Sequence, residues 1–165
     1  MKPVKFYLLT DTHYFENDLG AEGKAFEDYM KKEQYFMKES SAIVKSVFEK
    51  ISNDHDTDIV IIPGDLTKNG ELESHKSFVK ELYKLKESGK KIFVITAGHD
   101  YGSAFAFKND QWIDAEGTPF EILTDLYKDF GIGEALAVDE PTHSYVAQIN
   151  DGVRMLAICC DSAII

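Results

Sequence analysis

Cysteine is almost missing from the chain, and the two present, Cys159 and Cys160, are neighbours. Adjacent Cα atoms lie about 3.8 Å apart, short of the ~4.4 Å at which disulfides begin. On a strand their side chains also point to opposite faces. The pair therefore reads as small buried apolar residues, not as a disulfide framework or a zinc site. Positive charge is scarce too: 18 Lys and Arg stand against 29 Asp and Glu, a formal charge of −11. That balance argues against a surface for nucleic acid or anionic membrane. No apolar run approaches the ~20 residues of a membrane-spanning helix. No signal-peptide core precedes the first strand. The default compartment is then cytoplasmic, although a secreted chain with its signal removed reads the same way. Internal repeats, low-complexity tracts, a glycine-rich phosphate loop and a G-x-S-x-G elbow are also lacking.

What is there suits one soluble domain spanning 1–165, long enough for a single sizeable core. Its centre is residues 58–69, DIVIIPGDLTKN. Ile59, Val60, Ile61 and Ile62 form a short β-branched apolar run, which predicts a strand buried on both faces within a parallel sheet. Pro63 and Gly64 stop it, and Asp65 follows on the loop at its carboxyl end. Residues 4–10 (VKFYLLT) and 91–96 (KIFVIT) predict two more strands. The first ends in Asp11-Thr12-His13 and the other in Ala97-Gly98-His99-Asp100. Helical spacing of Ile43, Val44, Val47, Phe48 and Ile51 predicts a helix to residue 51. Leu72, Phe78, Val79, Leu82 and Leu85 predict another over 71–88. Such alternation argues for parallel strands with right-handed crossovers.

Elsewhere the signals are weaker. Residues 14–38 predict a loop over the site mouth with a helix entering near Lys31, and residues 100–117 predict an irregular segment. Thr118-Pro119 predicts the start of a helix over 120–130. Asn150-Asp151-Gly152 predicts a hairpin turn between strands 144–149 and 153–160. The expected fold is thus α/β, a mostly parallel sheet flanked by helices with a C-terminal β-hairpin.

Asp11/His13, Asp65 and His99/Asp100 all fall at strand ends along one sheet edge, where open α/β sheets bind ligands. In an extended chain residues i and i+2 share a side, so Asp11 and His13 can converge on one point. Oxygen and imidazole donors suit Mn, Fe or Zn. Asp65, on the central strand, is placed to bridge two cations ~3.5–4 Å apart. Three other histidines are set aside: His55 as a surface loop residue, His75 as an exposed helix residue, and His143 because it lacks strand-end placement.

Together the D-T-H, G-D-L-T-x-N-G and G-H-D motifs in these strand contexts resemble the calcineurin-like metallophosphoesterase superfamily, through most of the chain and on to residues 154–162 (RMLAICCDS). The resemblance implies a metallophosphoesterase-type α/β sandwich that hydrolyses a phosphate mono- or diester with hydroxide held on two divalent metals. By it, Asp11 and His13 ligate the first metal and Asp65 bridges both. His99 stands over the substrate, with Asp100 hydrogen-bonding its ring. Two departures follow. The family's Asn ligand to the second metal is replaced by Gly98, which weakens that site. Further histidine ligands of the family come later in the chain than anything present, so the chain reads as the N-terminal part of such an enzyme, an apparently truncated domain. That reading predicts an unpaired sheet edge, apolar surface around Leu156, Ile158, Ile164 and Ile165, and self-association. Aromatic-rich segments 14–36 and 101–112 are expected to flank the site. Two other functions stay open: a non-catalytic metal- or ligand-binding module, and a phospho-aspartyl enzyme using Asp11, whose usual D-x-D is broken by His13.

Overall fold

The apolar run at Ile59–Pro63 (β2) becomes the middle strand of a three-stranded parallel sheet in a computed structural model that describes residues 3–33 and 36–159. Its neighbours are β1 (Phe6–Leu8) and β3 (Lys91–Ile95), with Phe6 opposite Ile59 and Pro63 opposite Ile95. Strand β1 is shorter than the predicted 4–10. Alternation along the strands sorts the side chains between two faces.

On one face Val60, Ile62, Ile92 and Val94 meet Val44, Phe48 and Ile51 of α2 (Met37–Ser52). Phe78, Leu82 and Leu85 of α3 (Leu72–Glu87) complete this core with Leu123 and Tyr127 of α4 (Phe120–Tyr127). The helices are held to the sheet by these apolar stripes, which matches the sequence reading of α2 and α3.

The other face is covered by strands instead of helices. β6 (Ala137–Asp139), β7 (Ser144–Asn150) and β8 (Val153–Ala157) form an antiparallel sheet whose Tyr145 and Ala147 pack with Phe93, Ile59 and Ile61. The Tyr145 hydroxyl donates to the Val94 carbonyl at 2.8 Å, pinning the two layers together. β6 had no sequence signal because its three residues are all exposed. Coverage stops short of β1, where Phe6 and Leu8 are exposed. Leu156 and Ile158 are exposed as expected. Cys159 is buried, its thiol against the Thr96 carbonyl. Cys160, Ile164, Ile165 and the predicted extension of the last strand to residue 160 lie outside the described residues.

Two predictions for the connections are corrected. The segment entering near Lys31 instead holds α1 (Lys24–Met30), which ends there, its start capped by the Asp110 carboxylate accepting from the Ala25 amide at 2.8 Å. Residues 100–117 are not irregular but carry a hairpin of β4 (Phe105–Lys108) and β5 (Gln111–Asp114). Its turn is Asn109-Asp110, both left-handed at φ 50° and 59°, as two-residue hairpin turns require. Phe15, Phe26, Phe105 and Phe107 form a second core there, with Trp112 stacked on Phe105. These four phenylalanines therefore pack mainly on each other.

Leu82, with no solvent exposure, ties α3 to the sheet. Leu82→Ala is expected to lower unfolding stability by about 2–5 kcal/mol in urea denaturation, the range for a buried leucine. A loss below ~1 kcal/mol would show that α3 does not anchor the core.

Candidate metal centre

Past the last paired residues of β1 and β2 the two chains stay hydrogen-bonded. The Leu9 amide donates to the Ile61 carbonyl at 3.0 Å, His13 to Asp65 at 3.0 Å and Tyr14 to Leu66 at 2.8 Å. The Thr12 hydroxyl adds a bond to the Leu66 carbonyl at 2.8 Å. Between these bonds the backbone turns left-handed at Asp11 (φ 53°), His13 (φ 38°) and Asp65 (φ 49°). For residues with a Cβ that conformation costs about 1–2 kcal/mol each, and it persists where surrounding bonds enforce it. The expectation that Asp11 and His13 converge through extended geometry is corrected: left-handed turns bring them together.

The result is one cluster. A carboxylate oxygen of Asp11, an imidazole nitrogen of His13 and a carboxylate oxygen of Asp65 all lie within 4.8 Å of one another. His13 Nε2 stands 3.9 Å from Asp11 Oδ1. His13 is buried and Asp11 exposed, so the cluster has a dry side and an open side. Burial lowers the His13 pKa, against the pull of the Asp65 carboxylate, and so favours the neutral imidazole that a metal requires. Two carboxylates and a neutral imidazole gathered at one point fit a divalent cation.

His99 sits on a single helical turn, Gly98–Asp100, after β3. Its amide donates to Asp65 Oδ1 at 3.3 Å, and its ring stands edge-on to His13 with centroids 5.2 Å apart. Nδ1 faces two acceptors, the Lys68 carbonyl at 3.0 Å and Asn69 Oδ1 at 3.2 Å. Those acceptors, missed in the sequence, orient the ring. The role predicted for Asp100 is therefore corrected. Asp100 has no solvent exposure, and its carboxylate accepts from the amides of Leu66 (2.8 Å), Thr67 (3.0 Å) and Ala97 (2.8 Å). It ties the second motif to the third and leaves the His99 ring alone. Burial pushes its pKa up to about 7, against the pull of the amides.

The expectation for His75 is also corrected: it is fully buried, not exposed. Counting along α3, positions 75, 78, 82 and 85 are spaced three or four apart, so His75 belongs to the buried stripe. Its Nε2 donates to the Asp100 carbonyl at 2.8 Å, which leaves Nδ1 to accept from the Tyr127 hydroxyl at 2.6 Å. Gly70 completes the fit of the two motifs. Its φ is +76°, and a Cβ there would stand 2.7 Å from the Tyr101 Cα. His55 is exposed, and His143 stacks on Phe120 with ring centroids 4.0 Å apart, so neither joins the cluster. Asn69 Nδ2 donates to the Ser103 carbonyl at 3.0 Å, and the Lys68 ammonium lies 6.0 Å from the centre of the Tyr29 ring, linking the motif loop to the aromatic core.

A family model described as calcineurin-like phosphoesterase matches residues 4–146, a stretch that contains all three strand-end motifs. The chain belongs to that family. No curated protein matches it. As a calcineurin-like phosphoesterase it has a phosphoesterase-type function and a family requirement for divalent metal, for which Asp11, His13 and Asp65 are the candidate group. Among the described residues no helix is long and apolar enough to cross a membrane.

Burial lowers the His75 pKa to about 4, from 6.5 when unexposed to such an environment. Between those values the unfolded chain takes up a proton that the folded chain refuses, so stability falls as pH drops from about 6.5 towards 4. For this one group the loss is roughly 3 kcal/mol. Asp100 and Glu71, both raised to about 7 by burial, slope the other way as pH rises from about 4 to 7. His75→Gln isolates the histidine. The stability advantage of wild type over the variant is expected to shrink by roughly 3 kcal/mol between about pH 7 and pH 4 in urea denaturation. A pH-independent difference would contradict the buried neutral imidazole.

Proposed function

We propose that this protein is a metal-dependent hydrolase of phosphate mono- or diesters, with Asp11, His13 and Asp65 holding the cation and His99 meeting the substrate. The observation that carries this reading is the convergence of the three ligand atoms within 4.8 Å, beside His99. Bound Mn, Fe or Zn supplies Lewis acidity and an activated water for in-line displacement at phosphorus. Asp65 takes part twice, as a ligand and as acceptor of the His99 amide, so it couples the centre to the third motif. Asp11, on the solvent side, marks where a phosphoryl group enters.

His99 is set for proton work by its tautomer. With Nδ1 donating to the Lys68 carbonyl and Asn69, Nε2 is the nitrogen left to meet a phosphoryl oxygen or the leaving group. Protonated there, it donates to the departing alkoxide and returns to the neutral form. Asp100 and His75 act through the backbone, by fixing the loops that carry Asp65 and His99.

One feature favours a second reading, a cation-binding module without turnover. Gly98 offers no side chain where the family places an Asn ligand to the second metal, which supports a second cation held more weakly than the first.

One experiment separates the readings. Mn titrated by calorimetry is expected to bind wild type and to lose most of its affinity in Asp65→Ala. In the same preparations, Mn-dependent hydrolysis of bis(4-nitrophenyl) phosphate is expected to fall about 10²–10⁴-fold in His99→Ala with Mn content unchanged. Equal Mn binding by Asp65→Ala would overturn the metal assignment. Mn binding without any turnover in wild type would favour the module.

A further inference from the structure

Beside the carboxyl end of β1, a cleft of about 320 Å³ opens between that strand and α2. One end is formed by residues 10–13 and so shares Asp11 and His13 with the candidate centre. The walls are Leu9, Phe36, Ile43, Val44, Val47 and Phe48. Two of these, Phe36 at 71% and Ile43 at 48%, expose large apolar side chains next to a charged cluster.

Away from the end at residues 10–13, the one polar side chain in the lining, Ser40, is already occupied. Thr12 Oγ1 donates to the Leu66 carbonyl. Ser40 Oγ donates to the Met37 carbonyl and accepts from the Phe15 amide. No lysine or arginine lines the cleft. Nothing in the walls matches a sugar hydroxyl, a base edge or a second phosphate, each of which needs a partner when taken out of water. The volume is about twice the roughly 150 Å³ that accommodates a benzene, and falls at the lower end of ligand pockets.

We propose that this cleft binds the apolar alcohol portion of the phosphate ester, an aryl or alkyl group, with the phosphoryl end directed to Asp11, His13 and Asp65. The inference rests on the phosphoesterase reading and adds the substrate class. The shape of the site follows from the chain: α2 turns its exposed Ile43 and partly buried Val47 towards a strand end that carries the candidate ligands. Transfer of a methylene from water into such a wall strengthens binding roughly fourfold. A hexyl or benzyl group is therefore expected to outweigh a methyl by well over an order of magnitude.

The test uses the full chain with Mn and three non-hydrolysable probes: methylphosphonate, hexylphosphonate and benzylphosphonate, titrated by calorimetry. Hexylphosphonate and benzylphosphonate are expected to bind at least about tenfold more tightly than methylphosphonate. The tighter of the two shows whether alkyl or aryl alcohols are preferred. Ile43→Asp and, separately, Val47→Ser are expected to shrink that preference to about twofold, with Mn affinity retained as evidence of a folded centre. Equal affinity for all three probes in Mn-loaded protein would overturn the cleft assignment and leave the phosphoesterase reading standing. So would a preference unchanged in both variants. Failure of Mn itself to bind would overturn both readings, and the Mn titration shows which case applies.

Discussion

Asp100 is fully buried, and its carboxylate accepts three amide hydrogen bonds, from Leu66, Thr67 and Ala97. Those amides belong to two different strand-end loops, so one side chain fixes the distance between them. An isolated buried carboxylate is costly, and three amide donors are what make this one tolerable. His75 extends the tie: its ring donates to the Asp100 carbonyl and receives the Tyr127 hydroxyl, so α3 and α4 both hold the third loop. Without that tie the left-handed turns at Asp11, His13 and Asp65 would lack a frame on one side.

This arrangement explains why the site sits where it does. Parallel strands deliver their loops to a common edge, but a strand end alone aims side chains only loosely. Here continued pairing from His13 to Asp65 and from Tyr14 to Leu66 keeps β1 and β2 in register beyond the sheet. The candidate ligands are the residues forced out of extended geometry. Three of the six left-handed non-glycine positions among the described residues form the cluster.

Much of this was legible in the sequence. The apolar run before Asp65 announced a central strand, and the short D-T-H and G-H-D segments followed two further runs. The parallel sheet and the apolar stripes of α2 and α3 came from the same spacing. The local turns did not, because Asp and His, although commoner at positive φ than other residues with a Cβ, still adopt it in only a minority of cases. His75 was misplaced because a histidine among Glu73, Ser74 and Lys76 reads as solvated, although its spacing to Phe78 and Leu82 puts it inside. Asp100 reads as the partner of its neighbour in sequence, whereas two of its three amide partners, Leu66 and Thr67, lie more than thirty residues away. The β4–β5 hairpin escaped because its Asn109-Asp110 turn lacks the glycine that usually marks one.

A phosphoesterase assignment for the chain's own residues reduces to whether a divalent cation settles between Asp11, His13 and Asp65. Crystals grown or soaked with Mn, with anomalous diffraction recorded near the Mn absorption edge, answer this most directly. The account predicts an anomalous peak in coordinating range of all three side chains, with His99 beside it and not bound to it. Mn ligand distances of about 2.0–2.3 Å would be typical of such oxygen and nitrogen donors. A peak elsewhere on the protein, or none at this cluster under saturating Mn, would contradict it.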